Sequence, residues 1–275
     1  TSKGQNMYVV DTHCHAGTSW FEPVEMLLAG MNQSDVQHAV LTQHRGMVDN
    51  SYLLESIERF PGRFSAIVGV DVAAPDALTT LEQLAKNDGV CGIRLQAGDR
   101  SPGSDPLALW KKACELGLGI SVFLVDTVNA ADPEFQSLIK GLPADCTVVL
   151  EHLCGMYAPR SPGSVVAPYD NYKKGLELAA RPNTYIKFGG LGEFSERPAR
   201  LANQMGFESI PPALEMAYEA FGPKRMMWGS DFPPSAAREG YRNSLTGVLE
   251  HAAFKSQEDR EWAFGKTAQE AWKLS

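Results

Sequence analysis

Met7-Tyr8-Val9-Val10-Asp11-Thr12-His13-Cys14-His15 is an apolar run that ends in a polar pentapeptide. An extended strand places alternate side chains on one face. The run therefore predicts Asp11, His13 and His15 pointing the same way, with Cys14 turned aside as packing. Two imidazoles about 6–7 Å apart along a strand can converge on one metal ion or one substrate. Two of the chain's six histidines lie in this pentapeptide. The alternative is two ordinary histidines at a strand end, and the other strand ends decide between the readings.

Eight strand-like runs can be marked: Tyr8–His15, Val36–His44, Phe64–Val72, Val90–Gln96, Ile120–Asp126, Thr147–Leu153, Thr184–Gly189 and Met226–Asp231. Most are rich in Val, Ile, Leu or aromatics without strict polar alternation, as in strands buried on both faces of a parallel sheet. Helix signals separate them. Asp105-Pro106 and Asp132-Pro133 each pair an N-cap with a proline at the first helical position, and Pro211-Pro212 opens a third helix. Asn50–Phe60, Asp76–Lys86 and the tail from Gln257 to Leu274 also carry helical apolar spacing. Eight alternating units without a linker or a second composition regime predict one domain over residues 1–275, a closed (β/α)8 TIM barrel. The 275-residue length and 44% hydrophobic content suit that fold.

Lys and Arg total 25 against 33 Asp and Glu, a net charge of −8. That argues against nucleic acid or an anionic membrane as partner and leaves a small molecule; oligomeric state stays open, a homo-oligomer included. The cysteine count of five is odd and no Cys-x-x-Cys occurs, which suits a reducing cytoplasm better than a disulfide framework. Thr1–Asn6 is polar with no apolar core of a signal peptide, and no apolar run approaches the ~18 residues that span a bilayer.

In a barrel the residues closing each strand converge on one cleft. Here they are Asp11, His13 and His15; Gln43 and His44; Asp71; Arg94 and Gln96; Asp126; Glu151 and His152; Lys187; and Ser230 and Asp231. Burying so many polar groups without a role would be costly. His13, His15, His152 and Asp231 suit one divalent ion, zinc or manganese, with a position left for water. Asp231 can accept that water's proton and pass it to a leaving oxygen. Arg94 reads as an anion clamp or a structural ion pair. His44 and Gln43 read as substrate contacts. Lys187 reads as a second cation for an acidic substrate, or as a tie to Asp126 or Glu151. Asp11 reads as a support for a ligand histidine or as a partner of backbone amides. His38 and His251 read as structural. The long stretches 153–182 and 190–211 follow strands and could rim the site. Gly265-Lys266-Thr267 imitates the end of a phosphate loop, but Arg260 stands where the earlier glycine is required. No Gly-x-Ser-x-Gly elbow occurs, so serine-hydrolase chemistry is unsupported.

Asp-Thr-His-Cys-His at 11–15, Gly92-Ile93-Arg94, Leu150-Glu151-His152-Leu153-Cys154-Gly155, Ile186-Lys187-Phe188-Gly189-Gly190-Leu191 and Met227-Trp228-Gly229-Ser230-Asp231-Phe232-Pro233 occur in one order along the chain. Together they resemble the amidohydrolase superfamily, in its amidohydrolase-2 branch, over nearly the whole chain. The branch includes decarboxylases of aromatic acids and lactonases acting on sugar, pyrone and muconate-type lactones, and this sequence is more similar to the lactonases. The resemblance implies His13, His15, His152 and Asp231 as the core, with Asp231 activating water and His152 and Arg94 beside it in catalysis. It implies hydrolysis of the lactone ring of an acidic or polyhydroxylated molecule. A metal-dependent decarboxylase and a non-catalytic binding barrel are the alternatives. Two departures stand out. Strand 5 ends without the lysine or histidine of binuclear relatives, which implies at most one metal and leaves metal-independent catalysis open. Gly189 stands where many relatives carry serine.

Overall fold

Chain segments with continuous apolar runs pair side by side in chain order. The computed structural model describes residues 7–158, 160–194 and 211–274. Its strands are β1 (Val10–Cys14), β2 (His38–Thr42), β3 (Phe64–Val68), β4 (Val90–Gln96), β5 (Gly119–Phe123), β6 (Val148–Leu150), β7 (Thr184–Phe188) and β8 (Met226–Trp228). They form one parallel sheet in the order β1 to β8. The seam back from β8 to β1 is joined by a bridge between Cys14 and Phe232. Across it His15 N–H donates to the Phe232 carbonyl and Asp231 N–H to the His13 carbonyl, both at 2.7 Å. The chain is therefore the (β/α)8 barrel that its pattern predicts, though most strands stop short of their polar ends, which begin the site-forming loops.

The barrel interior holds Val10, Val40, Ile67, Val149 and Met227, packed on Trp272 of the closing tail helix. A Cβ on Gly92 or Gly119 would lie 2.8 or 2.5 Å from the Trp272 ring, so these glycines seat the indole as the barrel floor. Val10 faces this interior, and strict alternation would carry Thr12 and Cys14 inward after it. The register of β1 against β2 instead shifts between Asp11 and Cys14. A one-residue irregularity reverses the facing of everything beyond it. Asp11 consequently does not share a face with the histidines, contrary to the sequence expectation. Its carboxylate accepts from Ser230 N–H (2.8 Å), Ser230 Oγ–H (2.6 Å), Tyr241 OH (2.9 Å) and His13 N–H (3.2 Å). It is a clasp on the seam.

The predicted helices appear at Ser51–Arg59, Ala77–Leu84, Ala108–Glu115, Pro133–Gly141 and Ala213–Phe221. Asp132 caps its helix as read, accepting from Phe135 N–H at 2.9 Å. The tail is one helical run broken by a π-turn at Trp262–Lys266. There Gly265 admits the Tyr8 carbonyl against its Cα, where any Cβ would collide with it. That is the physical use of the glycine in the phosphate-loop imitation. Gly265→Ala should lower stability by about 1–3 kcal/mol, the usual range for overpacking, read as a fall in the urea midpoint.

Two expectations need correction. Cys114 and Cys146 are joined by a disulfide, linking the end of helix 108–115 to the turn before β6 across a sequence separation of 32. Cys14, Cys91 and Cys154 are free. Second, Asp126 does not close β5 into the cleft: the strand ends at Phe123, and the Asp126 carboxylate caps the helix Thr127–Ala131 by accepting from Val128 N–H at 2.9 Å. Among the described residues no helix is long and apolar enough to cross a membrane. Most of the 190–211 stretch lies outside the described residues.

Candidate active site

The core of the site is built on both sides of the seam. His13 and His15 reach it from the end of β1, and Asp231 from the loop after β8. His13 Nε2 and His15 Nε2 lie 3.6 and 3.4 Å from Asp231 Oδ1. His152 follows β6 in a left-handed turn: His152, Leu153 and Cys154 have φ of 49°, 47° and 58°, and Asp231 has 47°. Non-glycine residues pay conformational energy for this region, and such residues cluster at functional sites. His152 and Asp231 join a second group with Glu193, and His13 joins His152 and Glu151 in a third. The four predicted ligands thus converge as overlapping triads rather than along a single strand end.

Each imidazole has a defined anchor. His15 Nδ1 is 2.7 Å from the Thr42 carbonyl, and His152 Nδ1 is 2.8 Å from Glu193 Oε1. Both partners accept, so both Nδ1 atoms carry the proton and both Nε2 lone pairs are free. Phe21 stacks on the His15 ring at 4.8 Å, fixing its plane. His13 Nδ1 lies 3.3 Å from Lys187 Nζ, while His13 Nε2 is buried without a hydrogen-bond partner. Imidazole nitrogens and a carboxylate aimed at one point, one of them otherwise unsatisfied, fit a divalent ion.

Asp231 is held by one oxygen. Oδ2 accepts from Ser235 Oγ–H at 2.6 Å and from Tyr157 OH at 3.3 Å, which leaves Oδ1 for the histidines and a reactant. Burial alone would raise the Asp231 pKa, but the adjoining His15 and His152 rings and the hydrogen bond from Ser235 override it and hold it well below the carboxylate range. Burial works against the charged form of His152 as well, yet the Glu193 carboxylate raises its pKa. The His13 pKa is lowered, first by burial and then by the charge of Lys187.

Arg94 and Lys187, which the sequence left open between substrate contacts and internal ties, both have internal partners. Arg94 Nε and Nη2 donate to the two oxygens of Glu151 at 3.0 and 2.7 Å, and its Nη1 donates to the Gln43 carbonyl at 3.1 Å. Lys187 Nζ donates to Ser121 Oγ at 3.0 Å and sits 5.2 Å from the Trp272 ring centre. Ser121 Oγ–H donates in turn to Glu151 Oε1 at 2.7 Å. Gln43 uses its amide on its own loop, donating to the Asp49 carbonyl at 2.7 Å and accepting from His44 N–H at 2.8 Å. His44, whose ring centre is 6.2 Å from that of His15, remains half-exposed on a cavity of about 640 Å³ under the loops after β2, β3 and β4; Gln43, Arg94 and Phe123 also line it.

Glu193, Tyr157, Ser235 and Ser121 were not singled out from sequence. One signal for Glu193 was present. Gly189 departs from the serine expected there, and a Cβ at that position would come within 2.5 Å of Glu193 Oε1. The glycine makes room for the carboxylate that anchors His152.

The geometry is a strand-end cluster at the C-terminal mouth of a barrel, and similarity follows it along the chain. A curated 4-sulfomuconolactone hydrolase from Hydrogenophaga intermedia is 26% identical over 192 residues, which are 68% of this chain and 57% of that protein. This chain thus spans a little over half the length of that relative. An L-fucono-1,5-lactonase from Burkholderia ambifaria is 28% identical over 233 residues, 78% of this chain and 70% of that protein. Among solved structures, an amidohydrolase from Burkholderia multivorans with bound zinc superposes with a TM-score of 0.76 at 20% identity, covering 98% of this chain and all of that one. The amidohydrolase family model matches residues 10–274, from the first strand to the last turn of the tail helix, and the chain belongs to that family.

Proposed function

We propose that this chain is a hydrolase that opens the ring of a lactone. One observation carries the reading: a buried carboxylate fixed through Oδ2 presents Oδ1 beside the ring nitrogens of His13 and His15. Two curated relatives named for lactone hydrolysis support it. A metal ion, zinc or manganese, would be held by His13, His15, His152 and Asp231, and when bound it would supply Lewis acidity that lowers the pKa of water and polarises a carbonyl.

Asp231 stays ionised across the neutral range and takes the proton of the attacking water at Oδ1, then returns it to the ring oxygen as the ester bond breaks. With their Nε2 lone pairs free, His15 and His152 would serve as ligands to the metal ion and not as hydrogen-bond donors to the oxyanion that develops on the carbonyl oxygen. Glu193 holds the His152 ring in one orientation, and Phe21 does the same for His15. Arg94 and Glu151 brace the wall of the cleft rather than clamp the substrate.

A pH-indicator assay over a panel of sugar and unsaturated lactones tests this, with elemental analysis before and after chelation. Expected are acid release from at least one lactone, one zinc or manganese per chain, and loss of turnover on chelation with recovery on readdition. Full turnover in chelated protein would show that the reaction needs no metal. Release of CO2 without acid formation would replace the reading with decarboxylation, and binding without turnover of any kind would replace it with ligand capture.

A further inference from the structure

The site's cations divide into matched and unmatched ones. Arg94 is neutralised by Glu151. Arg100 lies beside Asp99 on the far wall of the cavity and donates to the Ala97 and Asp99 carbonyls. Two arginines have no such carboxylate. Arg45, in the loop after β2, and Arg160, in the loop after β6, are exposed and form no ion pair among the described residues. Both guanidiniums nonetheless sit on the ring of Phe123 at the end of β5, at 5.1 and 4.8 Å from its centre, and Arg94 lies at 5.0 Å on the same ring. Arg160 also covers the Tyr157 ring at 4.6 Å, next to Asp231. Three separate loops and strands therefore bring three cations to one aromatic side chain at the cavity mouth. Like charges gathered this way repel, and one carboxylate does not balance them. The cavity's other acid, Asp71, is exposed and accepts from Ala73 N–H in its own turn at 3.0 Å. A guanidinium held over an aromatic face keeps its in-plane N–H edge free for a carboxylate.

We propose that the substrate is an acidic lactone, not a polyhydroxylated neutral one, and that Arg45 and Arg160 are its specificity determinants, receiving a ring carboxylate across Phe123. The proposal rests on the lactonase reading for the word lactone, but the anion site can be tested without turnover. Isothermal titration with isophthalate, an unreactive planar dicarboxylate, is compared with the neutral isostere isophthalamide for wild type, Arg45→Gln, Arg160→Gln and the double variant. Wild type should bind isophthalate at least about 10-fold more tightly than isophthalamide, and the double variant should lose about 10- to 100-fold for isophthalate, as expected for charge-assisted hydrogen bonds. Arg45→Lys should recover part of the loss through charge alone. With a lactone carboxylate and its methyl ester as substrates, the double variant should lose its preference for the acid mainly through KM. Equal binding of the two probes by wild type, or undiminished isophthalate binding by the double variant, overturns the proposal. If isophthalate binding follows the variants but no lactone is opened, the lactonase reading fails and the anion site stands.

Discussion

Asp231→Asn should lower kcat for lactone opening by about 10²–10⁴-fold while substrate still binds, the range that a positioned general base supplies. The amide keeps the shape and can still accept from Ser235 and Tyr157 through its oxygen. It cannot take a proton from water. The loss should therefore fall on kcat, with KM changed little. A parallel loss in Ser235→Ala would be smaller, because Tyr157 OH remains on the same oxygen. An Asp231→Asn rate within threefold of wild type would remove this carboxylate from the chemistry. Thermal unfolding of the variant in parallel separates a chemical defect from a folding one.

Glu151→Ala should have the largest effect on stability, about 3–5 kcal/mol, because it strands buried cations without their counter-charge. Glu151 is fully buried and accepts from Arg94 twice and from Ser121, with Lys187 close behind. Burial alone would raise its pKa, but the charges of Arg94 and Lys187 override it and bring it down to about 2 from an ordinary 4.5. A carboxyl whose folded pKa is depressed contributes stability above its unfolded pKa and loses it below. Glu151 therefore stabilises the barrel fully above about pH 4.5, and this contribution drains away as the pH falls toward about 2. Urea midpoints at pH 7 and pH 3 check both statements: the gap between wild type and Glu151→Ala should narrow in acid. Replacing Arg94 and Glu151 together by Met and Leu should cost less than Glu151→Ala alone, since no uncompensated charge then stays with that pair. An additive double variant would show that the pair is not coupled.

Much of the architecture was legible because parallel strands buried on both faces read as unbroken apolar runs. The convergence of His13, His15, His152 and Asp231 was legible because polar residues at the ends of such runs are carried to one mouth of the barrel, though Asp11 and Asp126 turn away from it. What was hidden depends on facts that a linear reading lacks. The irregularity in β1 follows from how the strand closes on its neighbours, so Asp11 was placed on the wrong face. Arg94 and Lys187 stayed open between substrate and internal ties because Glu151 is 57 and 36 residues away, and its place beside them is set only when β4, β6 and β7 are in order. Tyr157, Ser235 and Glu193 lie in loops, where no periodicity marks which side chain turns inward. The Cys114–Cys146 bond joins elements whose proximity only the fold reveals.

The Asp11 clasp ties the beginning of the chain to its end. Its carboxylate binds Ser230, and the two side chains it brings level, His13 and Asp231, are separated by most of the polypeptide. A growing chain thus carries its first imidazoles long before the carboxylate they face has been made. A chain cut short before residue 230 lacks both the partner of the Asp11 clasp and the carboxylate that faces the histidines. The closure of the barrel and the assembly of the candidate site thus depend on one and the same contact between distant segments.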